Sequence, residues 1–251
     1  MRSRAFSALI SLLVAAFCLC VSLVAEARPA RAPAPPKDPE RIELADGPPE
    51  AFFYRPKGRG PRPVIMYLHG RGGNPFEDCR KWAAVATQFG WLVCPQGPED
   101  RGGGSRAWQN DVNRGQAIID GSIAALRAKY KGRVRSKDSV LIGFSEGAFL
   151  AMQIGLHKPE RWNRWLIRAA NDQYWFGDSE ALLKEKRRKI RRVYLLTGQN
   201  DEVAENTKRV GEQLKAAKVR VRVQIAEGLG HEIAGAKMKT YRRPLRWLTA
   251  G

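Results

Sequence analysis

A serine, an aspartate and a histidine in this sequence have the residue types and the order along the chain that nucleophilic chemistry requires. Ser145 stands at the centre of the pentapeptide Gly-Phe-Ser-Glu-Gly at 143–147, and Asp201 and His231 follow it. A serine hydroxyl is a weak nucleophile at neutral pH, so it attacks a carbonyl only when a base takes its proton and an acid orients that base. The order serine, acid, histidine matches one of the known arrangements of such a set.

The residues on both sides of Ser145 predict a strand, a sharp turn and a helix. The run Ser-Val-Leu-Ile at 139–142 is typical of a buried strand, and residues 148–156 have the apolar spacing of a helix. The two glycines of the pentapeptide have no Cβ, so the strand and the helix can approach each other closely. The serine hydroxyl would then project above the edge of a sheet. Taken alone, the pentapeptide is also compatible with an ordinary glycine-rich turn.

Asp201 and His231 each follow a predicted strand, at 192–196 and 219–225. Sites in open α/β sheets form at the carboxyl ends of the strands, so both side chains are expected at the same edge as the serine. Of the three histidines in the chain, His231 is the one with the order and setting of a base. Two alternatives stay open: Asp201 could cap the helix predicted at 203–217, and His231 could be a surface-loop residue.

A glycine-rich segment after another apolar strand could bind the negative charge that forms when a carbonyl is attacked. The strand predicted at 64–68 runs into His-Gly-Arg-Gly-Gly at 69–73. An oxyanion needs backbone N–H groups that already point at it, and glycines let the backbone approach. We expect one donor from the N–H of Arg71 and one from the N–H of Glu146, with His69 bracing the loop. A glycine-rich loop that binds nothing is the alternative.

Taken together, these motifs resemble the α/β-hydrolase superfamily, and within it the compact esterases that lack a lid. Those include dienelactone-hydrolase-like proteins, the carboxylesterase/phospholipase group, and secreted polyhydroxybutyrate-depolymerase-like or feruloyl-esterase-like enzymes. The resemblance covers residues 42–248. It is carried by four segments, His-Gly-Arg-Gly-Gly at 69–73, Gly-Phe-Ser-Glu-Gly at 143–147, Gly-Gln-Asn-Asp at 198–201 and Gly-His-Glu at 230–232.

The resemblance implies a role for each candidate residue: Ser145 as nucleophile, Asp201 as acid, His231 as base, and the backbone of Arg71 and Glu146 as the oxyanion hole. Two departures from the family pattern matter. Dienelactone hydrolases use a cysteine nucleophile, so the serine here argues against that activity. Many carboxylesterases have Gln directly after the nucleophile, whereas this chain has Glu146, whose carboxylate either disfavours anionic substrates or points away from the site.

Length and composition favour one domain with a sizeable core, since the chain has 251 residues of which 43% are hydrophobic. Strand-like runs alternate with helical segments, which predicts a mostly parallel sheet with helices on both faces, as in the α/β-hydrolase fold. Only 20 residues lie between Ala170 and Arg191, where this fold usually inserts a lid. We therefore expect no large lid domain, and an open site that accepts bulky or polymeric esters. The predicted helices are 76–89, 111–130, 146–157, 179–188, 203–217 and 235–248.

The first 27 residues have the features of an export signal. Two arginines precede an apolar run at 5–24, and Ala-Glu-Ala at 25–27 fits a cleavage site. We expect 1–27 to be a signal peptide, with an uncleaved anchor through 5–24 as the alternative because the apolar run is long. A proline-rich linker at 28–40 and the hydrolase domain at 41–251 would follow. The protein would then be exported, either periplasmic or secreted.

Export bears on the two cysteines that remain after the leader, Cys79 and Cys94. An even pair in an oxidising compartment suggests a disulfide, with two buried thiols as the alternative. The formal net charge is +19, yet no nucleic-acid-binding motif is present. We interpret the charge as the solvated surface of an exported monomer, with loose attraction to anionic envelope surfaces as a second interpretation.

The sequence thus predicts an exported serine hydrolase that cleaves a small-molecule or polymeric carboxylic ester through an acyl-enzyme. A serine peptidase with the same residues and a non-catalytic binding protein on a hydrolase scaffold are the alternatives. Trp108, beside a glycine-rich loop, and Trp175, just past a strand, are candidates for the wall of a pocket that takes a small or aromatic acyl group. The sequence has no metal-ligand spacing and no cofactor motif, so we expect neither.

Overall fold

A sheet of eight strands forms the centre of the protein, and a separate pair of short strands lies beside it. The computed structural model describes residues 37–45, 49–135, 137–233 and 235–251. In chain order the strands are β1 (Glu40–Ile42), β2 (Ala51–Tyr54), β3 (Val64–Leu68), β4 (Trp91–Pro95), β5 (Glu99–Asp100), β6 (Arg106–Ala107), β7 (Val140–Phe144), β8 (Arg164–Arg168), β9 (Arg192–Gly198) and β10 (Val221–Ala226).

The main sheet has the strand order β1-β2-β4-β3-β7-β8-β9-β10, and β5 pairs with β6. The pairs β1–β2 and β2–β4 are antiparallel, and the other pairs of the main sheet are parallel. The mostly parallel sheet expected from the sequence is therefore confirmed. The described α-helices are α1 (Pro75–Ala86), α2 (Val112–Lys129), α3 (Glu146–His157), α4 (Ser179–Lys186), α5 (Ala204–Ala216) and α6 (Arg242–Thr249), with 3₁₀ turns at Asp172–Tyr174 and Gly235–Tyr241.

The parallel strands bury side chains on both faces, which explains their continuous apolar runs. In β3, Val64, Met66 and Leu68 point to one core while Ile65 and Tyr67 point to the other. The first core is completed by side chains of α2, α3, α4 and α5, and the second by side chains of α1 and α6. The expected arrangement of helices on both faces is therefore present.

Strand register brings the chemically interesting loops to one edge of the sheet. Leu68 at the end of β3 lies opposite Gly143 of β7, and Phe144 lies opposite Arg168 at the end of β8. Arg168 in turn lies opposite Leu196, near the end of β9. Because these strands are parallel, the glycine-rich loop, the serine turn and the loops after β9 and β10 meet at their carboxyl ends.

In the part of the chain that the structure describes, no large lid covers this edge. Between β8 and β9 the chain forms only the 3₁₀ turn at Asp172–Tyr174 and the short helix α4. None of the helices in the described ranges combines the length and the apolar character that crossing a membrane requires. The predicted signal peptide at 1–27 and residues 28–36 of the predicted linker lie outside the described residues, so the predicted domain boundaries stay predictions.

A disulfide joins the first helix to the sheet. Cys79 of α1 is bonded to Cys94 of β4, with their Cα atoms 5.8 Å apart. Both residues are fully buried in the core beneath α1. The bridge connects the pair of cysteines for which the sequence suggested one.

The last predicted helix, 235–248, differs from the structure in its first half. Residues Gly235–Tyr241 form 3₁₀ turns, and the α-helix begins only at Arg242. Pro244 explains the break, because proline has no N–H to donate and its ring collides with the carbonyl four residues earlier. An α-helix can therefore start just before Pro244 but cannot run through it from residue 235.

Candidate active site

The candidate nucleophile lies in a strained turn between β7 and α3. Ser145 has φ 53° and ψ −117°, a backbone conformation that residues with a side chain rarely adopt. The flanking glycines make the turn possible. A Cβ on Gly143 would collide with the carbonyl of Gly147, and a Cβ on Gly147 would collide with the carbonyl of Leu68. The strand and the helix thus approach as closely as the pentapeptide predicts.

Ser145, His231 and Asp201 form one chain of hydrogen bonds across three loops. Ser145 Oγ lies 2.9 Å from His231 Nε2, and His231 Nδ1 lies 3.0 and 3.1 Å from the two carboxylate oxygens of Asp201. This geometry fits the tautomer in which Nδ1–H donates to Asp201 and Nε2 accepts from the serine hydroxyl. The structure brings together the three residues that the sequence singled out, in the arrangement of a nucleophile, a base and an orienting acid.

Exposure differs sharply along this chain of hydrogen bonds. The His231 side chain is 40% exposed, whereas the Asp201 side chain is fully buried. Asp201 also accepts from the N–H of Val203 at 3.1 Å, so it closes the turn before α5. The two sequence interpretations of Asp201, as an orienting acid and as a turn residue before a helix, are therefore compatible.

A buried arginine that the sequence analysis did not single out lies beneath these residues. Arg168 ends β8, and its side chain is 1% exposed. Its Nη1 donates to Asp201 Oδ2 at 3.1 Å, and its Nη2 donates to the carbonyls of Gly230 and Glu232 at 2.5 and 2.7 Å. In the sequence, Arg168 is a charged residue that directly follows the apolar run Trp-Leu-Ile, and this break in the strand pattern was the signal for an unusual residue. A charged residue at a strand end does not by itself reveal its partner.

The glycine-rich loop after β3 lies against the serine turn. A Cβ added to Gly70 would lie 3.2 Å from the Cβ of Ser145. The N–H of Gly72 donates to a carbonyl of the β6 strand at 2.9 Å and is used within the protein. Within the described ranges, the N–H groups of Arg71 and Glu146 donate to no protein acceptor. Both are therefore available to a ligand oxygen bound beside Ser145.

The carboxylate of Glu146 turns onto the glycine-rich loop. Its Oε1 accepts from Nε and Nη2 of Arg71 at 3.0 and 2.8 Å, and its Oε2 accepts from the N–H of Trp108 at 2.8 Å. The Glu146 side chain is 4% exposed, and both of its oxygens accept from protein donors. Of the two possibilities that the sequence left open, the structure favours a carboxylate that points away from the substrate side.

His69 braces the same loop in its neutral form. Its Nδ1–H donates to the carbonyl of Gly70 at 2.8 Å, and its Nε2 accepts from the N–H of Gly97 at 3.0 Å. Burial lowers the pKa of His69 from 6.5 to about 4, because a buried imidazolium loses its hydration. Protonation would also break the bond from Gly97. The loop is therefore held by a neutral imidazole at neutral pH.

The structure contradicts the predicted pocket role of Trp108, whereas that of Trp175 stays a prediction. Trp108 is fully buried: its ring packs on His69 with centroids 5.0 Å apart, and its indole N–H donates to the His69 carbonyl at 3.0 Å. Trp108 therefore offers no surface to a substrate, which corrects the prediction. The physical reason is that full burial of so large an apolar ring is strongly favoured. Trp175 lines a cavity of about 440 Å³ between α4 and α5, together with Leu183 and Ala217.

One aromatic side chain, Tyr174, reaches the serine backbone, and two more pack in a row behind it. Tyr174 Oη lies 3.5 Å from the carbonyl of Ser145, and the Tyr174 ring meets the Phe149 ring edge-on at 5.6 Å. Phe176 stacks on Phe149 at 5.7 Å and is 55% exposed. Burial, followed by the charges of two nearby carboxylates, raises the pKa of Tyr174, so its phenol is protonated at neutral pH. The run Tyr-Trp-Phe at 174–176 was the signal for this aromatic surface in the sequence.

Comparisons with known proteins agree with this architecture. The family model for phospholipases and carboxylesterases matches residues 51–248. No curated protein matches the sequence. Among solved structures, the Bacillus cereus carboxylesterase is similar at a TM-score of 0.58 and 16% identity, over 79% of this chain and 93% of its own. Esterase PE8 is similar at a TM-score of 0.59 and 20% identity, over 83% of this chain and 100% of its own.

A third neighbour, an S-formylglutathione hydrolase from Agrobacterium tumefaciens, has a TM-score of 0.60 and 18% identity, over 80% of this chain and 88% of its own. At such low identities the likeness to these structures concerns the fold. The fold that they share is the mostly parallel sheet with helices on both faces that the sequence predicted.

Proposed function

The chain belongs to the phospholipase/carboxylesterase family of α/β-hydrolases, and from this premise we propose that it is a serine hydrolase that cleaves carboxylic esters. The observation that carries the proposal is the hydrogen-bonded chain from Ser145 through His231 to Asp201. The unused N–H groups of Arg71 and Glu146 beside it add further support. Together they provide a nucleophile, a base, an orienting acid and donors for an oxyanion.

Acylation would begin when Ser145 Oγ attacks the ester carbonyl carbon while its proton moves to His231 Nε2. The carbonyl oxygen takes the negative charge and accepts hydrogen bonds from the N–H groups of Arg71 and Glu146. Asp201 stabilises the imidazolium through Nδ1–H. The carbonyl then re-forms, the bond to the alcohol oxygen breaks, and His231 gives its proton to the departing alcohol.

Deacylation would follow the same path with water as the nucleophile. The water oxygen attacks the acyl-enzyme carbonyl while His231 takes a proton from the water. His231 then gives that proton to Ser145 Oγ as the carboxylic acid leaves. The enzyme is restored, and one ester and one water give one acid and one alcohol. No step needs a group beyond this chain and water.

The substrate side supports an ester with a small or aromatic acyl group, whether from a small molecule or from a polymer. Phe176 presents an exposed ring that is stacked on Phe149, next to Tyr174 at the serine. Such a surface can pack against an aromatic or apolar group. The absence of a large lid supports access for bulky substrates.

We further propose that the protein is exported and acts as a monomer in the periplasm or outside the cell. The support is the predicted signal peptide at 1–27, and the disulfide between Cys79 and Cys94 is compatible with an oxidising compartment. The net charge of +19 supports loose attraction to anionic envelope surfaces.

The test is ester hydrolysis by purified protein together with labelling by a fluorophosphonate, which reacts only with an activated serine. Ser145→Ala should abolish labelling and lower the rate on p-nitrophenyl acetate by about a million-fold, as expected for loss of a nucleophile. Asp201→Asn should lower it by about 10⁴-fold, because the histidine then adopts the wrong tautomer.

Ser122→Ala is the matched control. Its hydroxyl donates to the Ile118 carbonyl within α2. This variant therefore removes a buried serine hydroxyl that is not part of the candidate site. It should keep both labelling and rate. Near wild-type activity of Ser145→Ala, or turnover of peptides without turnover of esters, would reject the proposed function.

A further inference from the structure

One buried guanidinium joins the acid to the loop that carries the histidine. Arg168 Nη1 contacts Asp201, and Nη2 contacts the carbonyls of Gly230 and Glu232, the residues on both sides of His231. These acceptors come from two loops, after β9 and after β10, while Arg168 itself ends β8. The planar group therefore fixes the distance between the carboxylate and the backbone that carries the imidazole.

The ring of Phe144 provides a second link between Arg168 and His231. The guanidinium carbon of Arg168 lies 5.7 Å from the centre of the Phe144 ring. That ring lies 5.2 Å from the His231 ring, with their planes 37° apart. Arg168 thus contacts two groups, Asp201 and Phe144, that each contact the imidazole directly.

Stability alone is a weak explanation for this arginine. The side chains of Arg168 and Asp201 are 1% and 0% exposed, so both charges have lost their hydration. Buried ion pairs of this kind can often be replaced by apolar residues without loss of stability. The contacts to both sides of His231 point instead to a role in placing that residue.

We propose that Arg168 is a positioning residue that holds His231 between Ser145 and Asp201. This inference rests on the proposed function, in which His231 is the base. One guanidinium binds the carboxylate and the backbone on both sides of His231, so the imidazole is kept within 2.9 Å of the serine hydroxyl and within 3.1 Å of the acid.

Two substitutions separate charge from geometry. Arg168→Lys keeps the positive charge but replaces the fork with a single ammonium on a flexible stem, which cannot span both acceptors as the guanidinium does. Arg168→Gln keeps polar hydrogen-bonding atoms but removes the charge. Each variant is measured for kcat and KM on p-nitrophenyl acetate, for the rate at which a fluorophosphonate labels Ser145, and for its melting temperature.

Arg168→Gln should lower kcat and the labelling rate about 10- to 100-fold, because the histidine loop is displaced. KM should change little, because the lost interaction acts in the transition state. Arg168→Lys should lower kcat several-fold, again with little change in KM. A fall in kcat at unchanged KM would not arise if the arginine only stabilised the fold.

Arg164→Gln is the matched control. Arg164 begins the same strand, its side chain is 3% exposed, and it pairs with Asp138 at 2.5 Å. This variant should lower the melting temperature but leave kcat and the labelling rate unchanged.

The proposal is overturned if Arg168→Gln folds and keeps the kcat of the wild type, or if Arg164→Gln lowers kcat equally. Full kcat in Arg168→Lys also overturns it, and this result decides the matter if the Gln variant does not fold. If the wild type hydrolyses no ester, the proposed function fails, while the rate of fluorophosphonate labelling still tests Arg168 by itself.

Discussion

Glu146 links the two backbone segments that would hold an oxyanion. Its own N–H would be one donor, and its carboxylate holds Arg71, whose N–H would be the other. We predict that Glu146→Ala lowers kcat about 10- to 100-fold, since both donors remain but their orientation relaxes. KM should change little, because these donors act mainly on the transition state. Steady-state kinetics on p-nitrophenyl acetate measures both constants.

Glu146→Gln controls for the charge alone. Glutamine keeps an oxygen that can accept from the N–H of Trp108, and it is the residue that many carboxylesterases carry after the nucleophile. This variant should keep kcat within several-fold of the wild type. If the Ala variant is as active as the Gln variant, Glu146 does not hold the loop.

His69 makes the stability of the fold depend on pH. Above pH 6.5 its imidazole is neutral in both the folded and the unfolded chain, so its contribution to stability is complete. As the pH falls below 6.5, His69 binds a proton in the unfolded chain, whereas in the folded chain it stays neutral until about pH 4. The difference in pKa predicts a loss of roughly 3 kcal/mol in the free energy of unfolding across this window.

Urea unfolding between pH 4 and 7 measures this loss. In His69→Gln the part of the slope due to the imidazole should disappear, although the variant starts from a lower stability. His157→Gln serves as the control for removal of a histidine, because His157 is exposed at the end of α3. Equal slopes in wild type and His69→Gln would contradict a neutral, buried His69.

At the scale of elements, the disulfide determines how firmly α1 is held to the sheet. The bridge closes a loop of 15 residues, for which the chain-entropy model gives about 3 kcal/mol. We predict that the double variant Cys79→Ala, Cys94→Ala loses stability of that order while keeping its esterase kinetics. Thermal unfolding measures the loss, and non-reducing peptide mapping should find the two peptides linked. Recovery of unlinked peptides from exported protein would contradict the bridge.

Regular elements and the serine turn were predictable from local patterns, because apolar runs and flanking glycines are local properties. The 3₁₀ turns at Gly235–Tyr241 were not predicted, although Pro244 marked the break. The contacts of Arg168 could not be predicted from a local pattern, because its acceptors lie 33 to 64 residues away in the chain. Whether Trp108 or Tyr174 faces the substrate likewise depends on packing between distant elements, which a sequence pattern does not contain.

At the scale of the whole molecule, the site lies open at one edge of the sheet. The segment between β8 and β9 holds only a 3₁₀ turn and α4, so no large element has to move before a substrate enters. We predict simple saturation kinetics on short esters, with no jump in rate when the substrate passes its solubility limit. Initial rates across that limit provide the measurement, and a strong preference for emulsified long-chain triglycerides would contradict an open site.

In the described ranges β10 is an edge strand of the main sheet, and it pairs with a strand, β9, on one side only. Arg192, Arg220 and Arg222 all place their guanidinium groups within 6 Å of the Trp247 ring. A free strand edge can recruit a strand from a second copy and start aggregation. Two copies that met along β10 would bring these like charges together within a Debye length, about 8 Å at physiological salt. We predict that the crowded arginines keep the molecules apart, and that light scattering at rising salt concentration will detect association once the charges are screened.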